Sequence, residues 1–236
     1  MQTISLALML LSSPAPVQDP LLEGITFNSE PGGIYIPARA AAEALGWRLH
    51  WDAESAALYV QDVRLEPSAR LWDGTVLLNV NDLRTVGASV TWNAEERMRE
   101  VRWGSSAFDL VPGEKSVFVS QQDLELRAYQ GPHLIVSSRA SVGTPDYKTP
   151  NGEFTAGPYR AKMHYSSLYE NAPMPWSVQV TGDVFIHGWD GRVGYANSHG
   201  CIRLPVDGDN PAKYFYEWVD TGTPVTVAET WPEVLP

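Results

Sequence analysis

Beyond Val111-Pro112-Gly113 a turn-forming residue recurs about every eight to twelve positions, which leaves room for strands and for very little helix. Val117-Phe118-Val119, Leu124 to Tyr129, Leu134-Ile135-Val136, Ser177 to Val180 and Val184-Phe185-Ile186 read as strands, and Gln130 to His133 as a hairpin turn. One segment resists the pattern. Pro211 to Val219 reads as a helix, with Pro211 at its first position, Asp209 or Asn210 as its cap and Gly222 beyond its end. Its apolar residues Ala212, Phe215, Trp218 and Val219 share a face, and Thr223 to Val227 follows as a closing strand. The expectation is a mainly β fold: a mostly antiparallel, sandwich-like C-terminal domain with one short helix.

The first half carries a weak repeat with an offset of 41 residues: Leu45/Val86, Gly46/Gly87, Trp51/Trp92, Ala53/Ala94 and Glu54/Glu95. Each copy reads as a short helix, a glycine stop, a strand, a turn and a second strand. Ala38 to Leu45 is good helix material that Gly46 ends. Two copies point to a duplication forming a small α+β domain over residues 24–112, rather than to a long solenoid.

With 236 residues and 44% hydrophobic side chains, the chain can bury a sizeable core, and a disordered class is excluded. Its net charge of −11 is spread along the chain. Basic and acidic groups number 9 and 15 in residues 1–115, and 8 and 11 in residues 116–228. No basic stripe is present, so no nucleic-acid partner is expected. Ile4 to Leu11 is apolar in seven of eight positions, far short of the roughly 20 residues that span a bilayer. With Ser13-Pro14-Ala15 behind it, this run reads as a secretory signal over residues 1–18. It lacks a basic residue in front, and a buried strand or frayed terminus is the alternative. An exported chain, in the periplasm or cell envelope, makes its single Cys notable, since no partner exists for a disulfide.

That Cys stands in Ser198-His199-Gly200-Cys201-Ile202-Arg203-Leu204-Pro205, with Phe185-Ile186-His187-Gly188-Trp189-Asp190 upstream. A free thiol is only a few per cent thiolate at neutral pH and needs an imidazole to take its proton. An apolar strand ending in His187-Gly188 would bring that imidazole to a sheet edge. A loop rich in Gly, Asn and Asp can return Cys201 beside it. Gly200 allows close backbone approach, and N–H groups near Cys201 can face a developing oxyanion. Taken singly, a lone Cys is usually a small buried hydrophobe and a lone His a structural side chain. A Zn site from His187, His199 and Cys201 lacks a clear fourth ligand, so no metal is expected there.

Residues 116–228 resemble the L,D-transpeptidase catalytic domain, also called YkuD. The resemblance rests on several segments: Ser141-Val142-Gly143-Thr144-Pro145 with Lys148 to Phe154, Met174-Pro175-Trp176, Ile186-His187-Gly188, Ser198 to Leu204, and Gly222-Thr223-Pro224-Val225. The stretch between His187 and Ser198 is short for that family. Residues 25–103 resemble the module named after the copper amine oxidase N-terminal domain. Despite the name no copper is implied, because His50 alone is no metal site. Residues 229–236 form a tail.

The first resemblance implies Cys201 as nucleophile, His187 as its base and the Gly188 carbonyl as the group that orients the ring. His199 would polarise the thiol or line the oxyanion site, where the N–H groups of Gly200 and Cys201 would donate. Arg203 would bind a substrate carboxylate, or else pair with an acidic neighbour. Ser198 and Trp176 complete the implied substrate-binding set, Ser198 chiefly by shaping the turn. The implied reaction is 3→3 cross-linking of peptidoglycan stem peptides through a Cys thioester, with no metal or organic cofactor required. The alternatives are an L,D-carboxypeptidase, a ligase joining proteins to the wall, and a wall-binding protein with a retired site. A monomer with no membrane span is expected, its N-terminal module binding the wall and not needed for the chemistry.

Overall fold

The computed structural model describes residues 19–236. The secretory signal expected over residues 1–18 lies outside the described residues. Among the latter no helix is long and apolar enough to cross a membrane.

The N-terminal half runs β1 (Leu21–Gly24), β2 (Tyr35–Pro37), α1 (Ala38–Leu45), β3 (Leu49–Asp52), β4 (Ala57–Val60), β5 (Val63–Leu65) and β6 (Ala69–Arg70). It continues with β7 (Val76–Asn79), a 3-10 helix (Val80–Val86), β8 (Ser89–Asn93), β9 (Met98–Trp103) and β10 (Ser106–Pro112). A strand, a helical segment, a left-handed glycine (Gly46, Gly87) and a hairpin thus follow one another twice. Ala38, Ala41, Ala42 and Leu45 form the buried stripe of α1. The second helical segment is 3-10 rather than α. Asn79 caps it through Asn81 N–H, and its Asn81-Asp82 and Thr85 are poorer helix formers than the alanines of α1.

The C-terminal half contains β11 (Lys115–Ser120), β12 (Glu125–Gln130), β13 (His133–Arg139), β14 (Val142–Gly143), β15 (Gly152–Thr155) and β16 (Arg160–Tyr165). Then come β17 (Pro173–Thr181), β18 (Val184–Trp189), β19 (Ala196–Ser198), β20 (Ile202–Pro205), α2 (Pro211–Trp218) and β21 (Pro224–Ala228). Two sheets dominate, with strand orders β13-β12-β11-β21-β15 and β16-β17-β18-β20. Their inner faces meet in one apolar core that includes Val119, Leu126, Ile135, Ile186, Ile202, Phe215 and Trp218.

The sheets of this half are mostly antiparallel, as expected, with three parallel pairings: β18 with β20, β11 with β21 and β14 with β19. One expectation needs correction. The strand carrying His187 does not end there. Gly188 and Trp189 continue it opposite Leu204 and Pro205, so His187 is held in mid-strand. The helix caps as expected, with Asn210 Oδ1 accepting from Lys213 N–H.

The two halves are not independent bodies. One apolar cluster lies wholly in the N-terminal half, around Leu45, Leu83, Val101 and Phe108. The other joins Ile25, Phe27, Tyr35, Leu71 and Leu77 to the core of the C-terminal half. Phe27 stacks edge-on against Tyr214 of α2, at 5.7 Å between ring centres. Tyr214 donates its hydroxyl to the Arg70 carbonyl across the same junction.

Candidate active site

The parallel pairing of β18 and β20 decides the site. Side chains alternate across a strand, and here both strands alternate in phase. Ile186 and Gly188 on β18, and Ile202 and Leu204 on β20, point into the core and are fully buried. Phe185, His187 and Trp189 therefore share the other face with Cys201 and Arg203. They line a groove of about 240 Å³, whose far wall is the β16–β17 hairpin with its connecting loop, including His164, Tyr169 and Met174.

His187 is 2% exposed, and its Nδ1 lies 2.7 Å from the Gly188 carbonyl oxygen. A carbonyl can only accept, so the proton sits on Nδ1 and Nε2 carries the free lone pair. Burial pushes the imidazole down to about 4, aided by the nearby Arg203 charge, while the Gly188 hydrogen bond opposes the shift. His187 is thus neutral at physiological pH. Burial pushes the Cys201 thiol up, partly offset by a backbone hydrogen bond from Phe185 and by Arg203. The resting pair is thiol and neutral imidazole rather than thiolate and imidazolium. In this resting geometry the thiol donates to the Asp183 carbonyl, 3.5 Å away, and not to His187.

The turn before Cys201 is braced from outside the signature. Thr149, 3% exposed, accepts from Gly143 N–H and donates to the Gly200 carbonyl, both at 2.8 Å. Gly143 admits no side chain, because a Cβ there would lie 1.9 Å from the Tyr147 carbonyl oxygen. Ser141 exchanges backbone hydrogen bonds with Arg203, and its hydroxyl accepts from Gly194 N–H. The Ser141–Gly143 and Thr149 segments are therefore the scaffold of the turn. Gly200 has φ +109°, which a residue with a Cβ rarely adopts.

The remaining expected site residues divide. Arg203 lines the groove, its guanidinium 4.0 Å from the centre of the Trp189 ring and one N–H on the Asn197 carbonyl. It has no acidic partner among the described residues, and its Nε is buried with no acceptor. His199 lies exposed on the lip, stacked on Tyr169 at 4.2 Å and edge-on to Tyr147 at 4.8 Å. Ser198 does not face the groove. It is 1% exposed, donates to the Cys201 carbonyl and accepts from Gly200 N–H. That second bond occupies the Gly200 N–H expected to serve an oxyanion. Trp176 is not brought to the groove either. Its φ of +57° breaks the alternation of β17 and sets its indole against Tyr216, 5.6 Å away beside α2. Met174, two residues earlier, takes the groove position.

Sequence reasoning missed several groove residues. Phe185 and Trp189 were legible as in-phase neighbours of His187. His164, stacked on Phe185 at 5.1 Å with Nδ1 3.1 Å from the Tyr159 hydroxyl, left no local signal, and neither did Tyr169, nor Tyr147 behind His199 on the lip. Among the described residues no group of three His, Cys, Asp or Glu side chains converges as a metal site.

Residues 114–227 match the YkuD family model, the L,D-transpeptidase catalytic domain. No curated protein matches the chain. Among solved structures, the chain is similar to an L,D-transpeptidase from Stackebrandtia nassauensis, with 22% identity and a TM-score of 0.45. That match covers 52% of this chain and 60% of the other. An L,D-transpeptidase from Mycobacterium smegmatis is similar at 17% identity and TM-score 0.44, over 90% of this chain and 95% of that one. One from Mycobacterium tuberculosis H37Rv is similar at 17% and 0.46, over 92% and 97%. At such values these likenesses carry no argument beyond similarity.

Proposed function

We propose that this chain, with an L,D-transpeptidase catalytic domain over residues 114–227, cross-links peptidoglycan stem peptides through a thioester on Cys201. The observation that supports the reading best is the in-phase alternation of β18 and β20, which gathers Cys201, His187 and Arg203 on one face of one groove. The enzyme acts outside the cytoplasm, where that substrate lies, and the apolar run Ile4 to Leu11 serves as its export signal.

In the first step Cys201 Sγ attacks the carbonyl of an L-centre that precedes a terminal D-amino acid. The thiol proton passes to His187 Nε2 as the C–S bond forms, because neither group is charged beforehand. The Cys201 N–H faces the developing oxyanion. Collapse breaks the C–N bond, and His187 returns the proton to the departing D-amino acid. In the second step an amine of another stem peptide attacks the thioester and loses its proton to Nε2. The thiolate leaves, takes that proton back, and a 3→3 amide bond remains. Arg203, with an unanswered buried N–H, receives a carboxylate of the stem.

Mass spectrometry of muropeptides incubated with the purified protein tests the proposal. The expected products are a 3→3-linked dimer and free D-amino acid. Released D-amino acid with no dimer would assign water as the acceptor and make the enzyme a carboxypeptidase. The N-terminal half, with its copper amine oxidase-like repeat, holds the catalytic half near the wall. Its apolar share in the common core makes it a structural partner as well.

A further inference from the structure

A second cavity, of about 570 Å³, opens where the N-terminal half meets the segment after α2. It shares no lining residue with the groove. Helix α2 covers the core face of the β17–β18–β20 sheet, opposite the face that carries Cys201. Asp220 on the cavity wall follows that helix, so the two openings lie on different sides of the domain.

One wall comes from the β8–β9 hairpin: Trp92, Arg97 and Arg99. Trp92 is 52% exposed, and the Arg99 guanidinium lies 4.8 Å from its ring centre. A guanidinium stacked in this way still presents its N–H edges, which match a carboxylate two at a time. Neither Arg97 nor Arg99 has an acidic partner among the described residues, whereas Arg48, Arg64, Arg102 and Arg127 each have one. In a chain with a net charge of −11, the two unpaired arginines balance Glu30 and Asp220 on the same lining and give one wall of the cavity a local positive charge. The opposite wall is fixed in advance. Asn28 donates to Asp220 Oδ1 at 3.1 Å, and Asp220 is held by the buried Lys115 ammonium at 2.9 Å. The Trp–Arg pairing recurs at Trp51 and Arg70, with 4.7 Å between guanidinium and ring centre and the Trp 41 residues earlier.

We propose that this cavity binds a carboxylated glycopeptide of the wall, its carboxylate on Arg97 and Arg99 and a sugar ring beside Trp92. The volume falls within the roughly 300–1,000 Å³ of small-ligand sites. The identity of the ligand rests on the function proposed above; the site itself does not. It gives the enzyme a hold on the polymer that is separate from the groove where bonds are exchanged.

Calorimetric titration of full-length Cys201→Ala protein with a soluble disaccharide-tetrapeptide tests the inference. Two sites are expected in this parent protein. Arg97→Gln/Arg99→Gln should remove one of them or weaken it at least tenfold, with the melting temperature unchanged. Without any substitution, the carboxamide form of the same ligand should fill the second site at least tenfold more weakly than the carboxylate. On protein with native Cys201, the arginine variant should leave turnover of soluble stem peptides intact. A single site in the Cys201→Ala protein that is absent from native protein alkylated at Cys201 with iodoacetamide would overturn the cavity and leave the groove reading standing. Two sites unaffected by the arginine substitutions would overturn it equally. A filled cavity on a protein that forms no thioester would overturn the proposed function instead.

Discussion

The floor and the lip of the groove are built by opposite means. The floor is two neighbouring parallel strands whose side chains alternate in phase, so His187 is fixed by the same ladder that buries Ile186 and Ile202, with Cys201 at its edge one residue before β20. The lip is three aromatic rings from three separate loops. Tyr147, Tyr169 and His199 are far apart in sequence, exposed or nearly so, and held by ring contacts of 4.2 and 4.8 Å. A buried ladder sets geometry to within a fraction of an ångström and shifts the acid–base properties of whatever it holds. A cluster of exposed rings can shape a mouth but cannot hold a proton-transfer group to that tolerance. Chemistry is therefore expected from the floor and selectivity or closure from the lip.

Substitutions should separate the two. Cys201→Ala should abolish thioester formation and turnover while melting like the parent, because it removes a single half-buried sulfur atom. Cys201→Ser should be nearly as inactive, since a hydroxyl beside a neutral imidazole is the weaker nucleophile. His187→Ala should slow the single-turnover acylation step by about 10²–10⁴, the usual loss on removing a positioned base. The same residue has a thermodynamic signature. Between pH 6.5 and about 4, the unfolded chain protonates this imidazole and the folded chain does not. Stability should therefore fall as pH falls through that window, by at most roughly 3 kcal/mol from this one group. His187→Gln should flatten the pH dependence of the urea midpoint there. An unchanged slope would show that His187 is solvated rather than part of a buried floor.

Smaller effects probe the support and the lip. Thr149→Val keeps the shape but leaves Gly143 N–H and the Gly200 carbonyl without partners, at a cost of about 1–3 kcal/mol. At two to four degrees per kcal/mol for about this size, its melting temperature should drop by several degrees. Tyr169→Ala and His199→Ala should each change the acylation rate less than about tenfold and act mainly on KM, read from full substrate titrations. A loss at His199 that exceeds the loss at His187 would reverse the assignment of floor and lip.

The same contrast decides what could be read from the residues alone. Val184-Phe185-Ile186-His187 and Cys201-Ile202-Arg203-Leu204 alternate visibly, so the floor was legible from local period, whereas the role of Cys201 rests on the family its segment resembles. Arg160 to Tyr165 is a strand exposed on much of both faces, so it shows no alternation, and the groove wall it forms went unseen. Trp176 was misplaced because a φ of +57° inside β17 has no mark in the sequence. The parallel pairing of β18 with β20, reached across a stretch with no helix, depends on the brace from Ser141 and Thr149, more than fifty residues upstream. The glycine-ended helices and hairpins of the N-terminal half were legible because each is local. Its share in the catalytic core, through Phe27 and Leu77, was not.

The central claim is that the resting site is an uncharged pair whose thiol becomes an acyl carrier only when His187 takes its proton. Intact-mass and peptide-level mass spectrometry of the parent protein, mixed with a donor tetrapeptide and no acceptor amine, tests it most directly. The account predicts a mass increase equal to the donor less its terminal D-amino acid, borne by the peptide that contains Cys201 and strongly slowed in His187→Ala. Release of D-amino acid with the acyl group on another residue, or a Cys201 adduct that forms at full rate without His187, would contradict it.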